Sequence, residues 1–129
     1  MDIQTKRVYN PVEKDDGTRL LVDRVWPRGM TKERVKADLW LKDVAPGTDL
    51  RKWFNHDRSR WEKFKSRYFS ELDEKPQMIK QILELAKNGR VTLLFSAHDD
   101  ECNQAVALKE YLMTMAKKTR TVAGHHAEK

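Results

Sequence analysis

Near its start the chain runs Leu20-Leu21-Val22-Asp23-Arg24-Val25-Trp26-Pro27-Arg28-Gly29. The continuous apolar residues at the beginning of this run predict a strand that is buried on both faces. Asp23 and Arg24 follow where the apolar run ends, and Pro27 and Gly29 then turn the backbone. Charged side chains at the carboxyl end of a buried strand are typical of a binding site in an open α/β sheet. The sequence therefore predicts a ligand site at this strand end.

Length and composition indicate one compact globular domain. The chain has 129 residues, of which 39% are hydrophobic and 36% are charged, and its apolar residues are clustered. No apolar run approaches the roughly 20 residues that cross a bilayer, and no apolar segment of a signal peptide follows the basic residues at the N-terminus. Cys102 is the single cysteine, which excludes an internal disulfide and fits a reducing compartment. We therefore expect a cytoplasmic protein that does not associate with membranes.

The chain is basic, with a formal net charge of +6. Such a balance favours anionic partners, which include phosphates, nucleotides and nucleic acid. Acidic residues are interspersed along most of the sequence, so a solvated basic face without a partner is the alternative interpretation.

Short apolar runs predict strands over residues 3–9, 19–26 and 91–95. Asp16-Gly17 is a turn signal that makes an antiparallel pairing of the first two strands one arrangement to consider. Two threonines and a valine suggest a last strand over residues 119–122. We expect residues 1–122 to form a single domain and residues 123–129 to form a flexible C-terminal tail.

Apolar residues at three-to-four spacing predict helices over residues 32–39, after Thr48 or Asp49, over 59–72 and over 76–88. A last helix is expected to begin with Asp99 or Asp100 as its cap. The fold class is therefore α/β: a small sheet of three to five strands, at least partly parallel, flanked by helices. A helical subregion spans about residues 31–88. Its aromatic residues are expected to pack in the core rather than to stack on bases.

The charged residues at the second strand end are the first candidate site. Arg24 and Arg28 can bind a carboxylate or a phosphate through two parallel hydrogen bonds, and Asp23 is an adjacent acid/base candidate. The alternative is structural, with Asp23, Arg24, Arg28 and Asp43 forming an internal network of ion pairs.

The segment Ser96-Ala97-His98-Asp99-Asp100-Glu101-Cys102-Asn103 joins a buried strand to a helix and is the second candidate site. Asp99 is a further acid/base candidate there, and Asn103 can bind a ligand or cap the helix. Cys102 is expected in the first helical turn, where a thiol can have a lowered pKa, although a small buried side chain is its commoner fate.

The helical subregion supplies two further candidate residues for the site. His56 is an acid/base candidate that can equally be structural, and Lys42 is a second cation for a ligand. His56, His98 and Cys102 supply too few fixed ligands for zinc, so we expect no metal site. Since the chain lacks a phosphate-binding glycine loop and other cofactor motifs, no tightly bound cofactor is expected either.

The chain resembles the family catalogued as domain of unknown function 488, in its YeaO-like branch. The resemblance covers nearly the whole chain. It rests on spaced pieces such as Leu21-Val22-Asp23-Arg24-Val25-Trp26-Pro27-Arg28-Gly29, Trp40-Leu41-Lys42-Asp43-Val44-Ala45-Pro46 and Leu50-Arg51-Lys52-Trp53-Phe54. It implies a small cytoplasmic α/β protein and defines no activity. The family tends to have His-Asn where this chain has Cys102-Asn103, which lowers the expectation of shared acid/base chemistry at that position.

Three functions follow from these residues. The first is binding of a small anionic ligand at the carboxyl edge of the sheet by Arg24, Arg28, Lys42 and Asn103. Hydrolysis or group transfer there would use Asp23, Asp99 and His56. The second is a nucleic-acid- or protein-binding module that uses the basic surface. The third is the purely structural ion-pair network, and the oligomeric state is left open.

Overall fold

A sheet of four parallel strands forms the centre of the computed structural model, which describes residues 1–127 and their side chains as far as Lys118. The strands are β1 (Ile3–Arg7), β2 (Thr18–Leu21), β3 (Leu39–Trp40) and β4 (Val91–Phe95), in the spatial order β1-β4-β2-β3. β4 lies between β1 and β2, with Ile3 beside Val91 and Leu21 beside Leu94. The predicted α/β class and parallel sheet are confirmed, and β4 has its predicted bounds.

Five α-helices accompany this sheet in the described residues. They are α1 (Lys32–Val35), α2 (Thr48–Phe54), α3 (Trp61–Asp73), α4 (Pro76–Lys87) and α5 (Gln104–Ala127). Pro76 opens α4 as the sequence predicts, because its missing N–H has no partner in a first helical turn anyway. No described helix is long and apolar enough to cross a membrane.

The two faces of the sheet are covered differently. Alternate residues along β2 and β4, such as Leu20 and Leu93, belong to the main core together with Val22 just after β2, and α2 to α5 complete this core. The opposite alternation places Leu21 and Leu94 in a smaller cluster with Val8 and Val35. All of β4 is buried, which explains its continuous apolar sequence.

The predicted aromatic packing is confirmed on the main face. Phe64 of α3 stacks on Phe54 of α2 with ring centroids 4.3 Å apart, and it also stacks on Trp61 and Tyr68 at 5.7 Å each. The Tyr68 hydroxyl donates a hydrogen bond of 2.6 Å to the Val44 carbonyl. This stack joins α2 and α3 to the loop before α2, which becomes a wall of the site described below.

A buried ion network holds the connection from β1 to β2 on the smaller face. Asp16 is 2% exposed and pairs with Arg19 and with Lys6, the latter at 2.9 Å. Arg19 also donates to the carbonyls of Val35, at 2.7 Å, and Lys36, at 3.2 Å. No local sequence pattern predicts this network, although Asp16 and Arg19 are both buried.

Several predicted elements are wrong in detail. β1 and β2 are not antiparallel neighbours, because β4 lies between them and runs parallel to both. The strand predicted over residues 19–26 ends at Leu21, and α1 ends at Val35 because Lys36 adopts a left-handed conformation with φ 46°. The two-residue strand β3 was missed, since a pair of exposed residues carries no periodic signal.

The strand predicted over residues 119–122 is also wrong. α5 continues through these positions to Ala127, since β-branched residues are weak helix formers but do not end a helix that is already propagating. The tail predicted over residues 123–129 therefore coincides with the end of α5, apart from residues 128–129, which lie outside the described part.

Candidate functional site

A cavity of about 500 Å³ lies beyond the carboxyl ends of β2 and β4, which is the size of a small-metabolite pocket. The two strands are parallel neighbours, so the residues that follow them meet at one edge of the sheet. The polar side chains that line the cavity are Asp23, Arg24, Arg51, His56, Ser96, His98, Asp99, Asn103 and Gln104. Its apolar walls come from Val25, Ala45, Pro46, Phe54, Phe64 and Ala97.

Asp23 is fixed in the wall of this cavity and is only 5% exposed. Its main-chain carbonyl accepts a 2.7 Å hydrogen bond from Trp40 Nε1, and its Oδ1 accepts one from Gln104 Nε2. Its Oδ2 has no hydrogen-bond partner among the described residues. Burial raises the pKa of Asp23, and the polar groups of Ser96 and Gln104 and the charge of Arg51 oppose this shift without cancelling it.

Arg24 connects the end of β2 to the loop before α2. Its Nε donates to the Pro46 carbonyl and its Nη2 to the Ala45 carbonyl, both at 3.1 Å. Its Nη1 is 4.0 Å from Asp43 Oδ1, a long and exposed ion pair that contributes little. Since a guanidinium has five N–H donors, Arg24 fixes the wall and still has donors for a ligand.

Arg51 is the second arginine at the cavity, and it lies on α2 three residues before Phe54. Its side chain is exposed and makes no hydrogen bond or ion pair within the described part of the chain. Its positive charge nevertheless acts on Asp23. An exposed guanidinium without a protein partner at a cavity mouth is well suited to bind an anion.

His56 is held at the cavity by an uncommon backbone conformation. α2 ends at Phe54, and Asn55 and His56 then both have positive φ, at 45° and 55°. Few residues other than glycine adopt this left-handed region, and asparagine and histidine are among those found there most often, at some cost in strain. The imidazole lies 6.4 Å from the Phe54 ring, so the turn brings His56 back over the end of α2.

Asp99 lines the cavity, but its carboxylate is engaged elsewhere. Arg58 donates two hydrogen bonds of 2.8 Å to it, and the N–H groups of Glu101 and Cys102 donate two more. The Arg58 guanidinium and these N–H groups lower the pKa of Asp99 to about 2. Asp99 is therefore ionised at neutral pH and holds no proton to donate.

Asn103, rather than Asp99 or Asp100, caps α5. Its Oδ1 accepts from the Val106 N–H at 3.0 Å, while its Nδ2 donates to the Asp99 carbonyl at 2.7 Å. The predicted cap is wrong because the two acidic residues form a turn before the helix, which begins only at Gln104. The N-terminal end of α5 thus reaches the cavity and adds positive potential to it.

Cys102 precedes α5 instead of lying in its first turn. Burial and the nearby charge of Asp99 raise the pKa of its thiol, which favours the alternative of a small, unreactive side chain. Among the described residues no group of three His, Cys, Asp or Glu side chains is placed to hold a metal ion.

The structure brings five of the candidate residues to the cavity and leaves two outside. The five are Asp23, Arg24, His56, Asp99 and Asn103. Arg28 is exposed on the turn after β2, where its carbonyl accepts a 3.0 Å hydrogen bond from the Tyr9 hydroxyl. Lys42 lies over the Trp40 ring, with Nζ 5.6 Å from the centroid.

The alternative network of Asp23, Arg24, Arg28 and Asp43 does not form, because only Arg24 and Asp43 approach each other among the described side chains. Sequence reasoning also missed Arg51, Ser96, His98 and Gln104 as cavity residues. Arg51 had one available signal, since helical spacing places it on the same side of α2 as Phe54.

The parallel sheet and the cavity at its carboxyl edge define a small α/β protein with a preformed pocket. The chain belongs to the family DUF488-N3i, described as the inactive DUF488-N3 subclade, whose profile matches residues 2–128. This confirms the family resemblance seen in the sequence.

Curated relatives agree with this family. The chain is 41% identical to Uncharacterized protein YeaO of Escherichia coli over 115 residues, which cover 89% of this chain and 100% of the relative. It is also 44% identical to uncharacterized proteins of Mycobacterium bovis and Mycobacterium tuberculosis. This match extends over 72 residues, which are 56% of this chain and 61% of each relative. No solved structure matches the chain.

Proposed function

We propose that this protein binds a small anionic ligand, one that carries a phosphate or a carboxylate, in the cavity at the carboxyl edge of the sheet. The main support for the proposal is that positive groups predominate in the lining of the cavity. Arg24, Arg51 and the N-terminal end of α5 are positive, whereas the charge of Asp99 is offset by Arg58. Asp23 is the remaining acid, and the positive charge of Arg51 acts on it.

The two arginines have different parts in this binding. Arg24 is held by the Ala45 and Pro46 carbonyls and offers its remaining donors from a fixed position, which lowers the entropy lost on binding. Arg51 is exposed and unengaged, so it supplies the mobile half of a clamp around the anion. His56 and His98 add further donors at the rim.

Binding without turnover is the role we favour over hydrolysis or group transfer. Of the three acid/base candidates, Asp99 is ionised and bound to Arg58. Asp23 and His56 both line the cavity, but no hydrogen bond joins them among the described residues, so they do not form an acid–base pair. The description of the family as inactive supports the same choice.

Thermal denaturation with inorganic phosphate, sulfate, glycerol phosphate and propionate tests the proposal in wild type, Arg51→Ala and Arg28→Ala proteins. A ligand at about a hundred times its dissociation constant adds about 2.7 kcal/mol, which raises the melting temperature by several degrees. We expect Arg51→Ala to abolish the shift without lowering the melting temperature of the free protein. Arg28→Ala, a matched exposed arginine outside the cavity, keeps the shift. Loss of the shift in Arg28→Ala alone, or no shift with any of these anions, would contradict the proposal.

Binding of a nucleic acid is the second candidate, and the distribution of charge favours it. Seven Lys and Arg residues but only two acidic ones lie between positions 51 and 67, a segment that covers the second half of α2 and the first half of α3. A polyanion held by this surface would dissociate steeply as salt rises. Fluorescence anisotropy with a labelled single-stranded oligonucleotide between low and high salt tests this candidate. Absence of binding at low salt eliminates it.

A further inference from the structure

The unpaired oxygen of Asp23 indicates what the ligand carries besides its anionic group. The side chain is fixed, because Gln104 holds Oδ1 and Trp40 holds the main-chain carbonyl of the same residue. Oδ2 is buried in the cavity wall and has no partner among the described residues. Nearly all buried polar atoms in native proteins have a hydrogen-bond partner, so an unsatisfied one in a cavity wall indicates a group that arrives with a ligand.

No protein cation satisfies this oxygen. Arg24 directs its Nε and Nη2 to the Pro46 and Ala45 carbonyls, and the described ion pairs of the chain do not include Asp23. Arg51 acts on Asp23 through its charge without a hydrogen bond. The Ser96 hydroxyl and N–H also lie close enough to this carboxylate to lower its pKa, but no described protein group meets Oδ2 with hydrogen-bond geometry. An N–H or an O–H of the bound molecule can therefore supply the partner that Oδ2 lacks.

We propose that the ligand is a hydroxylated anion, in which a hydroxyl group close to the phosphate or carboxylate donates its hydrogen bond to Asp23 Oδ2. This inference rests on the proposed anion binding. A hydroxyl is favoured over an ammonium group because an ammonium would lie beside the positive charges of Arg24 and Arg51. The walls formed by Phe54, Phe64 and Pro46 accommodate the carbon skeleton between the two polar groups.

A site that hydrogen-bonds a ligand hydroxyl rejects the analogue that lacks it, because the polar group of the site is then left unpaired. Two pairs of probes differ in hydroxyl groups and share the same anionic group: glycerol phosphate with propyl phosphate, and glycerate with propionate. Titration calorimetry gives the dissociation constant of each probe for the wild-type protein and for Asp23→Ala, Asp23→Leu and Arg51→Ala.

We expect the wild-type protein to bind at least one hydroxylated probe about tenfold or more tightly than its partner probe. Asp23→Ala abolishes that preference and leaves the affinity for the deoxy probe unchanged, whereas Arg51→Ala weakens both members of the pair. Asp23→Leu, which fills the same space with apolar atoms, provides the same comparison if Asp23→Ala does not fold.

The outcomes separate this inference from the proposed function. If propyl phosphate and glycerol phosphate bind equally, or if the preference survives in both Asp23 variants, the hydroxyl inference is wrong while anion binding stands. A preference for an amino analogue such as alanine over propionate would also overturn it. If no probe binds, or binding does not depend on Arg51, both proposals fail.

Discussion

Asp23 occupies a position in which its charge destabilises the folded protein. Burial raises its pKa, so the folded state holds the carboxyl proton to a higher pH than the unfolded chain, whose ordinary value is 3.8. Ionisation therefore costs stability above the folded pKa, and this cost disappears as the pH falls below 3.8. The ligand proposed above offsets the cost when it binds.

Replacement of Asp23 by asparagine is expected to stabilise the free protein at pH 7. Asparagine keeps an oxygen for Gln104 and removes the buried charge. The gain in the free energy of unfolding should exceed about 0.5 kcal/mol, the usual range for a neutral surface change. It should vanish at a pH at which Asp23 is protonated in both the folded and the unfolded protein. Urea denaturation between acid and neutral pH measures it. A variant that is less stable than wild type at neutral pH would mean that the protein, and no ligand, satisfies the carboxylate.

Some residues of the site could be predicted from the sequence, and others could not. Asp23 and Arg24 were predictable because charged residues at the end of an apolar run need a partner. Arg51 was not, because its one sequence signal, the helical spacing to Phe54, does not say which side of α2 meets the cavity. Its position at the cavity follows from how α2 packs on Phe64, which is a tertiary contact.

The connection between β1 and β2 depends on a buried carboxylate. Burial alone would raise the pKa of Asp16, but hydrogen bonds from the Glu13 N–H, Lys6 and Arg19 outweigh it and lower that pKa below 3.8. This contribution to stability is present above 3.8 and is lost as the pH falls through the lower folded value. The network thus stabilises the fold throughout the neutral range.

Asp16→Ala should destabilise the protein by about 3–5 kcal/mol at pH 7, because it leaves the buried Arg19 without its carboxylate partner. The exposed neighbour Asp15 is the matched control, and Asp15→Ala should change the unfolding free energy by less than about 0.5 kcal/mol. Urea denaturation of both variants distinguishes them. Similar small losses for the two variants would show that the network is not needed for the β1–β2 connection.

Two helix ends are closed by residues in a left-handed conformation. Lys36 follows α1 with φ 46°, and His56 follows Asn55 after α2 with φ 55°. Such positions strain a side chain that has a Cβ, and glycine relieves the strain. Only His56 is at the cavity. The comparison of these two positions separates conformational strain from ligand binding.

We expect Lys36→Gly and His56→Gly each to stabilise the protein by about 1 kcal/mol. His56→Gly should in addition weaken the binding of inorganic phosphate, while Lys36→Gly should not. Thermal melting with and without phosphate measures both effects at once. Equal phosphate shifts in the two variants would remove His56 from the site, and a loss of stability in both would show that neither turn is strained.

Elements with their own periodic or compositional signal were predicted well, and those fixed by distant contacts were not. β4 and α4 have clear apolar patterns and nearly the predicted bounds. β3 exists only because Leu39 and Trp40 pair with Leu20 and Leu21. α5 continues past residue 118 because a propagating helix tolerates β-branched residues.

Strand order is a property of the whole molecule, and it is also what assembles the site. Insertion of β4 between β1 and β2 brings Asp23 and Ser96 to one cavity although 73 residues separate them in the chain. No local pattern in the sequence encodes that insertion. The parallel arrangement was predictable from the buried strands, whereas the meeting of these particular side chains was not.

The two carboxylates that matter most to this sheet lie apart and share no partner. Asp16 is beside the first residues of β2 on the smaller face, and Asp23 follows the end of β2 at the cavity. Contributions of distant sites add within about 0.5 kcal/mol. We therefore expect the Asp16 network, which maintains the β1–β2 connection, to act independently of Asp23, which lies at the ligand cavity.

A double-mutant cycle tests this separation. The unfolding free energy of Asp16→Ala combined with Asp23→Asn should equal the sum of the two single changes within about 0.5 kcal/mol, as measured by urea denaturation at pH 7. The stabilising Asp23→Asn change keeps the double variant measurable, and Asp15→Ala combined with Asp23→Asn is its control.

A coupling energy above about 1 kcal/mol, present only with Asp16→Ala, would mean that the buried network sets the charge of Asp23 across the sheet. In that case phosphate affinity would change in Asp16→Ala as well. If the two parts are independent, Asp16→Ala binds phosphate as the wild-type protein does wherever it is folded.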